Sequence, residues 1–202
     1  MLRWNTDKRY LRDLAACGVA CVPTVFVEAD SGGLLRDIGL RHGWTDVVVK
    51  PAVAASATGA RRFAGVEMAV LGEAHLGDLL GRGVALVQPY LAEVETARER
   101  SLVFVDGVFA HAFTKPDFSV DASGGTTIEV HIPSPEELAL AAVALAAVPG
   151  PTSYARADLV PADNGPLLME LELIEPDLGL RLRPNVADTL ARACLAAVGS
   201  AS

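Results

Sequence analysis

The sequence predicts an α+β protein, and three observations carry that expectation. Strand-like segments come in pairs, joined by Asp106-Gly107 and by Asp163-Asn164-Gly165, which is the turn chemistry of antiparallel hairpins. Helical segments stand singly between those pairs, whereas a doubly wound sheet would alternate one helix with each strand. Neither G-x-G-x-x-G after a strand nor G-x-x-x-x-G-K-[ST] occurs, which disfavours a Rossmann or P-loop site. At 202 residues, 51% apolar and 21% charged, the chain is long enough for one large domain or two small lobes, and too apolar to be disordered.

The elements follow in order. Thr6-Asp7 opens a helical pattern through Tyr10, Leu11, Leu14 and Ala15 that Gly18 closes. Val19 to Val27 is β-rich, interrupted by Pro23. Ser31 can cap a short helix running to about His42. Asp46 to Lys50 (DVVVK) is a short buried strand, followed by small residues from Ala52 to Gly59 between Lys50-Pro51 and Arg61-Arg62. Val66 to Leu71 and Val84 to Gln88 read as strands around a helix near Leu76 to Leu80. Ser101 to Val105 and Val108 to Thr114 form the first hairpin, and Asp117 to Thr127 reads as a loop. Ser134-Pro135-Glu136-Glu137 is a helix start, with Ser as cap, Pro at the first position and Glu at the third. That helix is Ala-rich and stops at Pro149-Gly150-Pro151. Tyr154 to Val160 and Leu167 to Leu173 form the second hairpin, and Asn185 to Val198 a closing helix.

Charge and patterning exclude several classes. A net charge of -8 argues against a general nucleic-acid or anionic-membrane binder, since both need clustered Lys and Arg. The longest apolar run, Leu138 to Val148, falls short of the roughly 20 residues a bilayer needs. Met1 to Arg12 is charged throughout and lacks an apolar signal core, so the expected location is cytoplasmic. Cys17, Cys21 and Cys194 lack metal-type pairing and read as buried thiols. A homodimer is admitted but not specified.

The most informative segment is YARADLV followed by LLMELELIEP. Alternate residues of a strand share a face, so Glu170 and Glu172 point one way and Leu171 and Leu173 the other. Arg156 and Asp158 share a face on the preceding strand. An antiparallel hairpin can therefore gather Asp158, Glu170, Glu172 and Arg156. Three carboxylates on one surface repel each other unless a cation sits among them, and hard oxygen ligands select Mg²⁺ or Mn²⁺. The plain alternative is an exposed strand face whose charges blunt the sheet. Arg156 favours a site, because a cation plus a metal is what a transferring phosphoryl group needs.

Lys50 ends a strand that should be buried, where an ammonium is costly unless paired. A ligand phosphate is one partner; a solvated surface lysine is the simpler alternative. Ala54 to Gly59, with Ser56 and Thr58, can present backbone N–H groups and hydroxyls to phosphates. Lys115, at the end of the first hairpin, faces the same two readings. Ser56 has no Ser-His-Asp context, so a nucleophilic hydrolase is not indicated. His75, His111 and His131 fall in unrelated elements, and Arg61-Arg62 reads as a solvated pair.

Taken together, these pieces resemble the ATP-grasp superfamily, which includes D-alanine–D-alanine ligase, glutathione synthetase and the ribosomal-protein glutamate ligases. The resemblance runs from Lys8 to Glu172. A helix lysine matches Lys8 in NTDKRYL, and a strand-ending lysine before a Ser/Gly loop matches Lys50, Ser56 and Gly59. The adenine-holding hinge matches Gln88-Pro89-Tyr90-Leu91, with the ribose glutamate at Glu95. A nucleotide-contacting lysine matches Lys115, R-x-D matches Arg156-Ala157-Asp158, and E-x-N matches Glu170-Leu171-Glu172. RWNTDKRYL and YAR-DLV-LLMELELIEP further resemble the subgroup that includes the cycloserine-forming cyclo-ligase. Glu172 departs from the usual Asn and makes the metal site more negative; Glu175-Pro176-Asp177 departs from the usual Pro-Gly. The family carries a further N-terminal domain of roughly one hundred residues, a typical domain size, which this sequence does not include.

The resemblance implies the ATP-grasp fold: two lobes of antiparallel sheet plus helices with ATP between them. It places a linking helix at 1–18, a small lobe at 19–87 and a large lobe with the metal site at 88–202. It implies a carbon–nitrogen ligase that phosphorylates the carboxylate of a small molecule for attack by an amine, in an inter- or intramolecular reaction. Lys8, Lys50, Gly59, Gln88, Tyr90, Leu91, Glu95 and Lys115 would bind nucleotide. Asp158, Glu170 and Glu172 would hold Mg²⁺ or Mn²⁺, and Arg156, Ser56 and Lys115 would act on the reacting groups. The alternative from a different class is a Mg·ATP-binding module without ligase activity, lacking the substrate domain.

Overall fold

The computed structural model describes residues 1–31, 34–55, 57–115 and 128–199. The loop expected at Asp117 to Thr127 and the candidate Ser56 lie outside the described residues. The elements are α1 (Leu2–Asn5), α2 (Tyr10–Ala16), β1 (Val25–Val27), α3 (Leu35–His42), β2 (Asp46–Pro51), β3 (Arg61–Ala64) and α4 (Glu73–Leu80). They continue with β4 (Ala85–Pro89), α5 (Glu93–Ala97), β5 (Arg100–Val105), β6 (Val108–Thr114), β7 (Glu129–His131), α6 (Pro135–Ala146), β8 (Tyr154–Val160), β9 (Leu167–Glu172) and α7 (Val186–Gly199). No helix among the described residues is long and apolar enough to cross a membrane.

The chain divides into two compact units. One comprises Thr6–Tyr10 and Val22–Leu91; the other comprises Met1–Asn5, Leu11–Cys21 and the chain from Ala92 onward. The first is built on an antiparallel four-stranded sheet in the order β1-β4-β2-β3. Alternation along β2 sends Val47 and Val49 into a core with Leu35, Ile38, Phe63, Leu76, Leu79 and Val87. The second unit holds an antiparallel five-stranded sheet in the order β7-β6-β5-β8-β9. Leu102, Ala112, Ala157 and Leu171 are fully buried on one face of it, and α6 packs against β8 and β9. The β5–β6 turn sits at Asp106 (φ 50°) and Gly107 (φ 73°), the double left-handed geometry that an Asp-Gly pair accommodates.

Several local expectations are corrected. The helix expected to open at Thr6-Asp7 begins at Tyr10, so Lys8 lies in a turn and not on a helix. The cause is competition for the backbone: the Asp7 carboxylate accepts the Arg9 N–H at 2.9 Å, and the Lys8 N–H goes to Ala52 O at 2.8 Å. Of the β-rich stretch Val19 to Val27, only β1 is a strand; Cys21 forms a single bridge to Leu168. None of the thiols expected to be buried is so: Cys17 is exposed, and Cys21 and Cys194 are half-buried. Ser31 does not cap α3. Its hydroxyl donates to Glu28 O, and the α3 N-terminus is instead met by Glu73 Oε1, which accepts the Arg36 N–H at 3.0 Å. Val66 to Leu71 is not a strand: Met68–Gly72 forms a π-helical turn that runs into α4. Met68, Gly72, Leu76 and Leu79 are buried at helical spacing, while Val66 and Val70 are exposed. The strand there is β3, and its Arg61-Arg62 pair hid the one inward side chain, Phe63.

Candidate active site

Register decides what meets on the second unit's sheet. Residues directly opposite in antiparallel strands share a face. One rung reads Phe113, Ser101, Asp158, Glu170, and the next reads His111, Val103, Arg156, Glu172. The Lys115 N–H bonds Glu99 O at 2.9 Å, so those two residues continue the series beyond Phe113. A bulge after Asp158, which pairs Leu159 with Leu168, lets both Leu168 and Leu171 face inward without disturbing Glu170 and Glu172. The structure thus brings together Arg156, Asp158, Glu170, Glu172 and Lys115. It adds Glu99 and Ser101, which the sequence reading missed. Their signal was the alternation Glu99-x-Ser101 leading into β5, in step with Arg156-x-Asp158.

Asp158 is the hub and is fully buried. Its Oδ1 accepts from Ser101 Oγ (2.7 Å) and Arg156 Nε (2.9 Å); its Oδ2 accepts from Lys115 Nζ (2.7 Å) and Arg156 Nη2 (2.8 Å). Arg156 Nη2 also donates to Glu172 Oε1 at 2.6 Å, and Nη1 to Asp177 O at 3.0 Å. Lys115 Nζ makes a second, short contact with Glu99 Oε1. Burial alone would raise the Asp158 pKa, but Lys115 and Arg156 outweigh it and hold the carboxyl well below its usual range. The same partners keep Lys115 and Arg156 firmly charged against their burial.

The outer carboxylates go the other way. Burial, with repulsion from Asp158 and Glu170, pushes Glu172 up to about 7, and burial with Asp158 and Glu170 likewise raises Glu99 against the pull of Lys115. Glu99, Asp158, Glu170 and Glu172 crowd one another beside Lys115 and Arg156, and the two outer carboxyls, Glu99 and Glu172, are raised by burial and by that crowding. Asp158, Glu170 and Glu172 each offer an oxygen within 4.8 Å of the others. Hard oxygen donors closing on one point, in a cluster of mutually repelling carboxylates, fit a divalent cation of the Mg²⁺ or Mn²⁺ kind.

In the first unit, Lys8 Nζ donates to Ala54 O at 2.8 Å, so Lys8 fastens the chain that follows β2 by both main chain and side chain. Lys50 is half-buried on β2, and its side chain makes no hydrogen bond or ion pair among the described residues. Gly59 (φ 80°) turns the chain, and its carbonyl meets His75 Nε2 at 2.9 Å. The Gln88 side chain is buried, and its Nε2 donates to Thr24 Oγ1 at 2.8 Å. The Tyr90 N–H goes to Asp46 O at 2.9 Å, and Leu91 is half-buried beside it. Arg62, expected to be solvated, lies 3.4 Å over the Tyr90 ring and pairs with Asp46 at 2.7 Å. Glu95 is exposed on α5 in the second unit; the carboxylate that joins the cluster from this stretch is Glu99.

No protein-family model matches the chain. It is 34% identical to the cycloserine biosynthesis protein DcsG of Streptomyces lavendulae, over 96% of this chain and 70% of that protein. The crystal structure of D-cycloserine synthetase DcsG matches with a TM-score of 0.86 at 32% identity, over 96% of this chain and 70% of the other. D-alanine–D-alanine ligase from Bacillus anthracis matches at 0.74 and 16% identity, over 98% and 70%. The RimK domain ATP-grasp protein from Sphaerobacter thermophilus matches at 0.71 and 18%, over 95% and 68%. These last two speak for the fold alone. The fold, the order of the charged pieces and the relationship to DcsG agree: the chain belongs to the ATP-grasp superfamily and is an ATP-dependent carbon–nitrogen ligase.

Proposed function

We propose that the chain ligates a small amino-acid-derived carboxylate to an amine, with Asp158, Glu170 and Glu172 as the ligands of one or two Mg²⁺ ions. The observation that carries this is the approach of those three carboxylates to within 4.8 Å of one another, on the face that also bears Arg156 and Lys115. Bound there, the metal would neutralise charge on the phosphoryl group being transferred. The small-molecule class rests on DcsG, named for cycloserine, among the relatives.

The chain's own groups take the following roles. Lys50 offers an ammonium that nothing among the described residues satisfies, suited to a phosphate. Lys8 and Gly59 shape the chain between β2 and β3, and Ser56 belongs to the same segment as a phosphate contact. The end of β4, Gln88 to Leu91, supplies main-chain groups for adenine, and Glu95 a carboxylate for the ribose hydroxyls. Lys115 trades its bonds to Glu99 and Asp158 for phosphate oxygens. Arg156 keeps its fork on Asp158 and steadies the oxyanion that forms when the amine attacks. Residues 19–87 serve as the phosphate-handling lobe and 88–202 as the metal-bearing lobe.

Glu170→Gln removes one ligand charge without changing shape. ADP release with Mg²⁺, ATP and a panel of small amino acids should fall at least about a hundredfold, a typical loss for a first-sphere electrostatic group. Near-normal ADP release from folded Glu170→Gln would overturn the metal assignment.

A further inference from the structure

β9 is the outermost strand of the five-stranded sheet, so one row of its backbone groups points away from β8. That row is closed at two places. At one end the Leu168 N–H donates to Ala20 O at 2.8 Å, and Cys21 bridges Leu168. At the other end a single side chain does the work of a strand residue. Asn5 Nδ2 donates to Leu171 O at 2.7 Å, and Asn5 Oδ1 accepts the Leu173 N–H at 2.8 Å. Asn5 is buried, 9% exposed, and its amide spends one donor and one acceptor on the two residues either side of Glu172.

We infer that Asn5 is a positioning residue for the metal site: it fixes the backbone that carries Glu172 and thereby sets where that carboxylate stands. Glu172 is the most outlying of the three proposed ligands, on the last strand and at its last residue. Its side chain is bonded to Arg156 on one side, but Arg156 is shared with Asp158 and Asp177 and cannot by itself hold the end of β9 in plane. An edge strand's last residues fray unless something pairs with them. An amide bonded on both sides of Glu172 removes that freedom where the carboxylate must meet the others within 4.8 Å. Outer groups that orient metal ligands typically contribute about 10–100-fold to metal affinity.

The inference rests on Glu172 being a metal ligand, and the test separates the two claims. Mn²⁺ affinity is measured by electron paramagnetic resonance in the presence of ATP for the wild type, Asn5→Ala, Glu172→Gln and the double variant. Val148→Ala, after α6, controls for a general loss of stability. Asn5→Ala should weaken Mn²⁺ binding by about tenfold or more. Val148→Ala, compared at equal loss of melting temperature, should not, and Asn5→Ala should add little in the Glu172→Gln background. Equal weakening in Asn5→Ala and Val148→Ala, or full additivity with Glu172→Gln, overturns the positioning role. If Glu172→Gln alone leaves Mn²⁺ affinity unchanged, the ligand assignment of Glu172 fails first. Should Asn5→Ala not fold, Asn5→Asp keeps the acceptor for Leu173, loses the donor to Leu171 O and carries the same comparison.

Discussion

Each oxygen of the Asp158 carboxylate takes two donors, one from Arg156 and one from Ser101 or Lys115, and the Lys115 bond is the one that the proposed function frees for a metal. Ser101 is fully buried, so Ser101→Ala strips a donor from a buried carboxylate. It should cost about 1–3 kcal/mol, read from urea unfolding. Arg156→Lys is harsher than its charge suggests. A lysine offers no planar fork, so the paired bonds to Asp158 and the reach to Glu172 cannot all survive. ADP release should fall by about a hundredfold or more with the fold retained; a loss of less than twofold would remove Arg156 from the reacting centre. At this scale the sequence revealed the acidic set because strand alternation is a strict rule: Glu170, Glu172, Arg156 and Asp158 needed only a period of two. Glu99 sits in the charged run Glu95 to Arg100, where the alternation it shares with Ser101 does not stand out from its charged neighbours. Propensity favours a helix through Lys8, and the Asp7 side chain and Ala52 carbonyl that hold it in a turn leave no local mark.

Among the elements, α6 has the most strongly determined start. Ser134 Oγ accepts the Glu137 N–H at 3.3 Å, and Glu137 Oε2 accepts the Ser134 N–H at 2.7 Å, a complete capping box. Glu137 does more than cap. Its Oε1 accepts from Arg100 Nη1 at 2.6 Å, and His131 Nε2 lies 3.0 Å from its Oε2, so one carboxylate ties α6, β5 and β7 together. Burial would raise its pKa, but Arg100, His131 and the Ser134 N–H outweigh that and hold it below the ordinary 4.5. A carboxyl lowered in the folded state gives its stabilisation in full above the unfolded value and loses it as pH falls through the folded one. Melting temperature should therefore drop on acidification below about pH 4.5, and Glu137→Gln should flatten that acid limb in melts between pH 3 and 7. Glu137→Ala should cost about 3 kcal/mol at neutral pH by leaving Arg100 partly buried and unpaired. Gly179 makes a second test. It has φ 59°, and an added Cβ would stand 2.7 Å from the Phe113 ring. Gly179→Ala should destabilise by more than about 1 kcal/mol. Ser-Pro-Glu-Glu announced the helix start in one reading, whereas Arg100 and His131 reach it from distant strands and left no local mark. The π-helical turn at Met68–Gly72 was hidden by an apolar run that fits either period.

At the scale of the whole molecule, family membership rests on the relationship to DcsG, and what the sequence alone offered was order: Lys8, Lys50, the small-residue stretch, Gln88 to Leu91, Lys115, then the two acidic strands, none of them distinctive alone. What order could not show is that Thr6–Tyr10 belongs to one compact unit and Leu11–Cys21 to the other, since no turn or composition change separates Tyr10 from Leu11. A ligand at about 100 times its Kd adds roughly 2.7 kcal/mol to the folded state, so saturating Mg·ATP should raise the melting temperature and EDTA should reverse the rise. A folded protein with no shift would count against nucleotide binding by this chain. The paired rungs of β5, β8 and β9 also bear on how such a protein can change over generations. A single residue inserted between Tyr154 and Ala155 and not absorbed by a bulge would turn Arg156 and Asp158 to the side now filled by Ala155, Ala157 and Leu159, and bring those three into the acidic cluster. One codon added there would cost both the buried packing and the chemistry, although every residue of each was still present. Descendants of this chain are free to vary in length at Pro161 to Pro166 and around Asp106-Gly107, but in β8 only by exchange of one side chain for another.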